Sequence, residues 1–395
     1  MKILQIHNFY RIAGGECGVV RAERALLEAH GNDVLPYYRD SREIDDWGVV
    51  TQARMLLNIP YSRLEAQSVS AFVRETRPDV AHVHNVFPLL TPAVYPALQR
   101  HGIPVVQTVH NFRLLCPNGL FYINEHICQQ CQERSFFSAV RNRCMQRSFL
   151  VSAAYAAAVG MAWKRGIIPN GIDRYIALNH FFAQRLIAAG VPGSRVRVLG
   201  NFTPERLHNV PPKENYVLFL GRLSREKGIR TLMAAWKNIT GSLLRIAGSG
   251  PLRDEIARWA ESMGRGSVEL LGHVTGDAKR ALIRGAKCLV VPSEWYENFP
   301  LSIVEALSQG TPVVASDLGG LPELVRHGVN GLIFKAGDCT ALEQTLRRLL
   351  AGKVDPQQLA ERALVSAADA LDAEQHHAGL IDIYTQAIQS KASQQ

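Results

Sequence analysis

Two carboxylates eight positions apart, Glu297 and Glu305, stand in the run Pro292-Ser-Glu-Trp-Tyr-Glu-Asn-Phe-Pro-Leu-Ser-Ile-Val-Glu-Ala-Leu-Ser-Gln-Gly-Thr-Pro-Val-Val. Its pattern reads as strand, loop, helix and strand. Glu297 falls at the mouth of that helix and Glu305 about two turns along it. The stretch Asn298, Phe299, Pro300 and Leu301 opens the helix, where exposed backbone N–H groups can cradle a phosphate. A carboxylate further along can accept hydrogen bonds from ribose hydroxyls. Upstream, an apolar run ends at Gly221, and two cations follow five positions apart, Arg222 and Lys227. Departure of a diphosphate leaves negative charge, which fixed Arg and Lys side chains neutralise in the transition state.

Further candidates also fall just after apolar runs. Gly14 and Gly15 follow the first run and open a helical pattern, where small residues let a diphosphate or sugar approach backbone N–H groups; a plain tight turn is the alternative. His110 ends the run 105–110, as an imidazole for positioning or as a buried structural histidine. His82 and His84, two apart on one strand, share a face and are read as packing. Gly248-Ser-Gly250-Pro251 is strand, glycine turn and helix start.

Four of the seven cysteines cluster in sequence: Cys116, Cys128, Cys131 and Cys144. Four thiolates can hold tetrahedral zinc, and four reduced thiols are the alternative, because the outer gaps of eleven and twelve residues are unusual for a zinc ribbon. No two aspartates lie two positions apart, which agrees with chemistry needing no catalytic metal.

Positioning these groups requires strands that end at them. Short β-rich runs at 3–7, 33–38, 80–84 and 105–110 alternate with longer helical patterns, which implies parallel strands with helical crossovers. The pattern restarts at 216–220, 244–247, 268–271, 288–292 and 313–316. An α/β chain of two doubly wound, Rossmann-like parallel-sheet domains follows, spanning 1–203 and 204–370. The polar, three-proline stretch 201–215 serves as the linker. Ligands of such sheets bind beyond the carboxyl ends of the strands, so two facing domains are expected to form a cleft.

The run from Glu297 to Glu305 with the following Gly-Thr-Pro-Val-Val resembles the E-x7-E signature of family 4 glycosyltransferases, of GT-B architecture. The loop bearing Arg222 and Lys227, the Gly-x-Gly-Pro at Gly248, the segment 319–331, the double glycine and His110 are similar to that family's motifs, and the resemblance implies that Gly248 to Pro251, with His273 and Val274, line the nucleotide-base pocket. The resemblance is strong over 216–338 and looser over 1–200. It implies a retaining transfer from a nucleotide-diphosphate sugar to a glycan or lipid-linked acceptor. Glu297 is then near the donor sugar, Glu305 on the ribose, Arg222 and Lys227 on the diphosphate, and His110 close to the donor sugar and acceptor. It implies no catalytic cofactor, and a C-terminal helix, 371–395, that crosses back to the first domain.

The 395 residues carry a net charge of +9, of which residues 1–200 hold +8. Between 134 and 172 stand Arg134, Arg141, Arg143, Arg147, Lys164 and Arg165 with no acid, interleaved with Phe136, Phe137, Phe149, Met161 and Trp163. That mixture suits an anionic membrane surface or a charged acceptor, or else is a solvated basic face over buried aromatics. The first residues lack a signal-peptide pattern, and the apolar stretch 149–163 falls short of the roughly 20 residues that span a bilayer. A cytoplasmic enzyme, peripheral at the inner membrane face, is expected. A nucleotide-sugar epimerase of the same fold is one rival. The other, a basic nucleic-acid-binding or scaffold protein, is disfavoured because the basic charge lies away from the donor motifs, so no nucleic acid is expected.

Overall fold

The computed structural model describes residues 1–11, 14–133, 135–203 and 205–393. The chain divides into two compact units, one formed by Met1–Ile123, Cys128–Gly200 and Glu374–Gln395, the other by Asn124–Ile127 and Asn201–Ala373.

The first unit is a six-stranded sheet of β1 (Lys2–Phe9), β2 (Asp33–Asp40), β3 (Val80–Val83), β4 (Val105–Val109), β5 (Arg174–Ala177) and β6 (Val196–Val198). All pairs are parallel, in the order β2-β1-β3-β4-β5-β6. β3 and β4 are buried at every position, as expected of strands covered on both faces. Helix α1 (Gly15–Ala29) follows β1 directly. On one face Ile3, Val34, Val80, Val106 and Ile176 pack against Leu380, Ile383, Tyr384 and Ala387 of the helix Ala373–Ala392.

The second unit repeats the plan with β7 (Tyr216–Leu220), β8 (Leu243–Ala247), β9 (Val268–Gly272), β10 (Cys288–Val291), β11 (Val313–Ser316) and β12 (Gly331–Phe334). These strands are again all parallel, ordered β9-β8-β7-β10-β11-β12. Strand alternation divides the core in two: Val217, Phe219, Cys288 and Val290 face one layer of helices, and Tyr216, Leu218, Leu289 and Val291 the other. The order reverses between β7 and β10, and ligands of such sheets bind at the strand ends of that switch point. Both clusters of candidate donor residues follow these two strands.

Candidate functional site

Three loops close on one another at the carboxyl ends of β7, β8 and β10. Gly221 N–H donates to the Ala247 carbonyl and Leu223 N–H to the Ser249 carbonyl, at 3.0 and 2.9 Å, which joins the loop after β7 to the one after β8. Glu294 N–H donates to the Glu226 carbonyl at 2.9 Å, joining the same loop to the one after β10. Gly228 has a left-handed backbone (φ 67°), and a Cβ there would lie 1.6 Å from the Pro292 carbonyl oxygen, so only glycine fits. A Cβ on Gly250 would come within 2.4 Å of the Leu223 carbonyl oxygen. Gly250, which the sequence offered for the nucleotide pocket, is thus required where two protein loops meet.

Within this framework the Lys227 ammonium donates to Glu297 Oε1 at 2.6 Å and lies 5.1 Å from the centre of the Trp295 ring. Ser293 Oγ donates to the same carboxylate oxygen at 2.6 Å. Glu297 is only 4% exposed. Burial works to raise its pKa, but the Lys227 charge and the hydrogen bonds from Lys227 and Ser293 outweigh it and hold the carboxyl below its ordinary value. Arg222, half exposed, pairs with Glu226, whose Oε1 also accepts from Ser224 Oγ at 2.7 Å. Each candidate cation is thus oriented by one carboxylate while keeping further N–H groups for a ligand. Glu305, on α2 (Leu301–Ser308), pairs with Lys279 at 2.7 Å. The stretch 298–301 supplies one amide fewer than its length suggests, because Pro300 has no N–H. His273 follows β9 and is exposed, and Val274 packs partly buried against the core. Sequence reasoning missed Glu226, Lys279, Ser293 and Trp295. Ser293 and Trp295 stood in the run quoted for Glu297, and only the fold shows what they, Glu226 and Lys279 touch.

The first unit holds a different centre. Glu23 of α1 is fully buried, its Oε1 bonded to His376 Nε2 at 3.1 Å and its Oε2 3.9 Å from His82 Nδ1 and 3.5 Å from His84 Nε2. His82 also bonds Thr108 Oγ1 and the Tyr384 hydroxyl, each at 2.7 Å. His84 Nδ1 meets His110 Nε2 at 2.9 Å. Burial, foremost, lowers the pKa of His82 and His110 to about 4 and of His7 to about 3. His84 is driven down in the same way. These imidazoles are neutral near pH 7, and His82 and His84 form a buried polar cluster with Glu23, Thr108 and Tyr384. The ligand atoms of Glu23, His82 and His84 lie within 4.8 Å of one another, but both His82 nitrogens already have partners, which leaves the group poorly suited to a metal.

His110 also lines a small cavity with Asn85, Phe87, Asn111 and Arg113. Asn111 Nδ2 donates to the Tyr10 hydroxyl and to Glu16 Oε2 at 3.2 and 3.3 Å. Burial brings the Glu16 pKa up to about 7, against the pull of its hydrogen bonds and Arg113. Nothing in the sequence singled Glu16 out except its place beside Gly14 and Gly15. Gly14 caps α1 with extended backbone, and a Cβ there would meet nothing within 4 Å, so packing gives no reason for glycine at that position.

Cys116, Cys128, Cys131 and Cys144 all line one cavity of about 10 Å³, and all are free thiols. The basic segment is split. Arg141, Arg143 and Arg147 are exposed, as are Phe137, Phe149 and Leu150. Trp163 instead is buried and its indole N–H donates to the Leu114 carbonyl at 2.8 Å, and Phe136 is buried too. Trp163, expected in the basic-aromatic surface, is therefore a packing residue. Arg134 lies outside the described residues. Among the described residues no helix is long and apolar enough to cross a membrane.

Two doubly wound parallel domains, with cations and a buried carboxylate at the switch point of the second, form the architecture of GT-B glycosyltransferases. Residues 204–365 match the family described as Glycosyl transferases group 1, and residues 19–201 match the Glycosyl transferase 4-like domain. The chain belongs to this glycosyltransferase family. It is 42% identical over 127 residues to an uncharacterized glycosyltransferase of Methanocaldococcus jannaschii, covering 31% of the chain and 32% of that protein. It is 35% identical over 174 residues to the phosphatidyl-myo-inositol mannosyltransferase of Mycobacterium leprae, covering 42% and 44%. The matched stretches thus span less than half the length of these relatives. Anabaena HepE in complex with UDP shares the fold, with TM-score 0.66 and 18% identity over 98% of this chain and 100% of that one.

Proposed function

We propose that this chain transfers a sugar from a nucleotide-diphosphate donor to a glycan or lipid-linked acceptor, with retention of anomeric configuration and without a catalytic metal. The observation that carries the reading is the Lys227–Glu297 pair at the switch point of the second unit, with Arg222 on the same loop. Arg222, Lys227 and the amides of Asn298, Phe299 and Leu301 receive the diphosphate, and Glu305 receives the ribose. The Glu297 carboxylate, kept ionised by Lys227, accepts hydrogen bonds from donor-sugar hydroxyls. The acceptor hydroxyl oxygen bonds to the anomeric carbon on the face from which the diphosphate leaves, the carbon–phosphate oxygen bond breaks, and the hydroxyl proton passes to the departing phosphate oxygen. No side-chain base is needed, while the two cations stabilise the growing leaving-group charge. Support for the donor class comes from the UDP complex of the HepE neighbour, and for a lipid-linked acceptor from the name of the mycobacterial relative.

The test is a panel of nucleotide sugars assayed for nucleoside diphosphate release, with and without lipid-linked acceptor, in EDTA. Acceptor-stimulated release that survives EDTA is expected. Release that needs added magnesium or manganese contradicts the metal-independent part, and no release with any donor contradicts the whole.

The acceptor is met at an anionic membrane face. Exposed Phe149 (57%) and Leu150 (67%) begin the helix Phe149–Lys164, and Arg141, Arg143 and Arg147 precede them. Each base near an anionic surface contributes roughly 1 kcal/mol. In flotation assays the protein is expected to rise with anionic vesicles at low salt, to stay behind with neutral ones, and to be released by high salt. The Arg141→Gln, Arg143→Gln, Arg147→Gln triple variant is expected not to float. Flotation indifferent to lipid charge would contradict this docking mode.

A further inference from the structure

The segment from Phe112 to Ser148 anchors its first half in the core through Phe112, Leu115 and Phe121 but has little regular structure. It contains a three-residue 3-10 turn (Phe112–Leu114), two strands of two residues (Tyr122–Ile123 and His126–Ile127) and a five-residue helix (Phe137–Arg141). A cross-link or a metal would restrict the conformations of irregular chain of this kind. Cys116 lies at its start, Cys128 and Cys131 in the middle and Cys144 near its end, and all four residues line a single cavity of about 10 Å³, roughly the space of one small ion. None is in a disulfide, although Cys128 and Cys131 are only three positions apart.

Burial raises the pKa of the Cys116 thiol and pushes those of Cys131 and Cys144 up to about 12, and Cys116 Sγ donates to Asn118 Oδ1 at 3.0 Å, so these sulfurs become thiolates only with a cation among them. Against that burial, the backbone amides of Phe121, Asn118, Gly119 and Leu120 favour the thiolate of Cys116, and that of Ala139 favours the thiolate of Cys131. Such N–H···S contacts orient thiolate ligands and disperse their charge. Exposed Arg141, Arg143 and Arg147 lie in the same segment and offset a net negative centre.

We propose that Cys116, Cys128, Cys131 and Cys144 bind one structural zinc ion in tetrahedral thiolate coordination. Binding converts four thiols and Zn²⁺ into a zinc tetrathiolate of net charge −2 with release of four protons, and no oxidant or reductant takes part. The ion ties the segment together at three places along the chain. Through it the loop after β4 is fixed, because Phe112 N–H donates to the Gly119 carbonyl and Cys116 N–H to the Phe112 carbonyl at 3.2 and 2.8 Å. Asn111, beside His110, in turn caps the Phe112–Leu114 turn by accepting from Arg113 N–H at 3.0 Å. The zinc is thus a structural brace for the His110 loop, independent of the metal-free transfer chemistry proposed above.

The full-length protein, purified without added metal, is expected to contain one zinc per chain by elemental mass spectrometry. A mercurial thiol reagent should release that zinc stoichiometrically to a colorimetric chelator. Cys128→Ser with Cys131→Ser should lose the zinc and lower the Tm. Because that variant can fail to fold, the unmodified protein is also produced in zinc-depleted, cobalt-supplemented medium, where the intense visible bands of tetrahedral cobalt thiolate are expected. Folded protein free of zinc, an octahedral cobalt spectrum, a Cys128–Cys131 disulfide in intact-mass analysis, or zinc retained in full by the double variant would each overturn the assignment.

Discussion

Replacing Lys227 by Ala is expected to lower kcat by about a hundredfold to a thousandfold while weakening donor binding much less, because the leaving-group charge that Lys227 meets develops mainly in the transition state. The substitution also strips a 4% exposed carboxylate of its ion pair. Breaking a largely buried pair from one side is costly in itself, so a fall in Tm accompanies the kinetic effect and must be separated from it. Glu297→Gln removes the opposite partner, keeps the shape and leaves Lys227 in place. The double variant, Lys227→Ala with Glu297→Gln, removes both charges and should regain stability without regaining activity. Steady-state kinetics beside thermal melts of all three decide the matter. A kcat restored in the double variant, or a pure KM effect in Lys227→Ala, would mean that Lys227 supports the fold or binds the ground state only.

Acidification is expected to destabilise the first unit at pH values above those at which ordinary carboxylates titrate. His82 and His110 titrate at about 4 and His7 at about 3 when folded, against an ordinary value of 6.5. Between these limits the unfolded chain binds more protons than the folded one, so stability is present above pH 6.5 and is lost as pH falls toward 4. Glu16 acts with the opposite sign, since its raised value of about 7 makes the folded state the better proton binder over part of the same range. One such group offsets only part of three imidazoles. After that offset, and with coupling among neighbouring rings, the net loss is on the order of 3 kcal/mol, or a Tm fall of roughly 10 °C between pH 7 and 4.5. Circular dichroism melts across that range measure it. Replacing His82 by Gln should flatten the dependence, and a Tm unchanged between pH 7 and 4.5 would show that these rings are not held neutral by burial.

How far the sequence discloses this molecule depends on which interactions lie along the chain. Tyr216–Leu220 and Val313–Ser316 read correctly to the residue, because fully buried parallel strands are continuous apolar runs closed by glycine or polar turns. Arg174–Ala177 and Gly331–Phe334 escaped, the first opening on an arginine and the second on a glycine. The glycine has a structural cause that only the fold reveals: a Cβ on Gly331 would sit 2.0 Å from the Val313 carbonyl oxygen of the neighbouring strand. The candidate site divides in the same way. Lys227 and Glu297 are 70 positions apart, and their pairing follows from β7 and β10 being neighbours at the switch point. Glu23 and His376 are 353 positions apart, with no local pattern at either to announce a buried charge and its partner. Trp163 shows the converse error, since composition alone cannot tell an exposed aromatic from one whose indole bonds the Leu114 carbonyl.

Whether the loops after β7 and β10 form a nucleoside diphosphate site is decided by titration calorimetry on the 395-residue chain. UDP, GDP and ADP are titrated separately in EDTA, against the unmodified protein and against Arg222→Ala and Glu305→Gln. One nucleotide is expected to bind with one-to-one stoichiometry in the absence of metal, more weakly to both variants, with the heat reduced at high salt as the charge contacts are screened. Absence of binding by all three nucleotides, or equal affinity in the unmodified protein and both variants, would contradict the account.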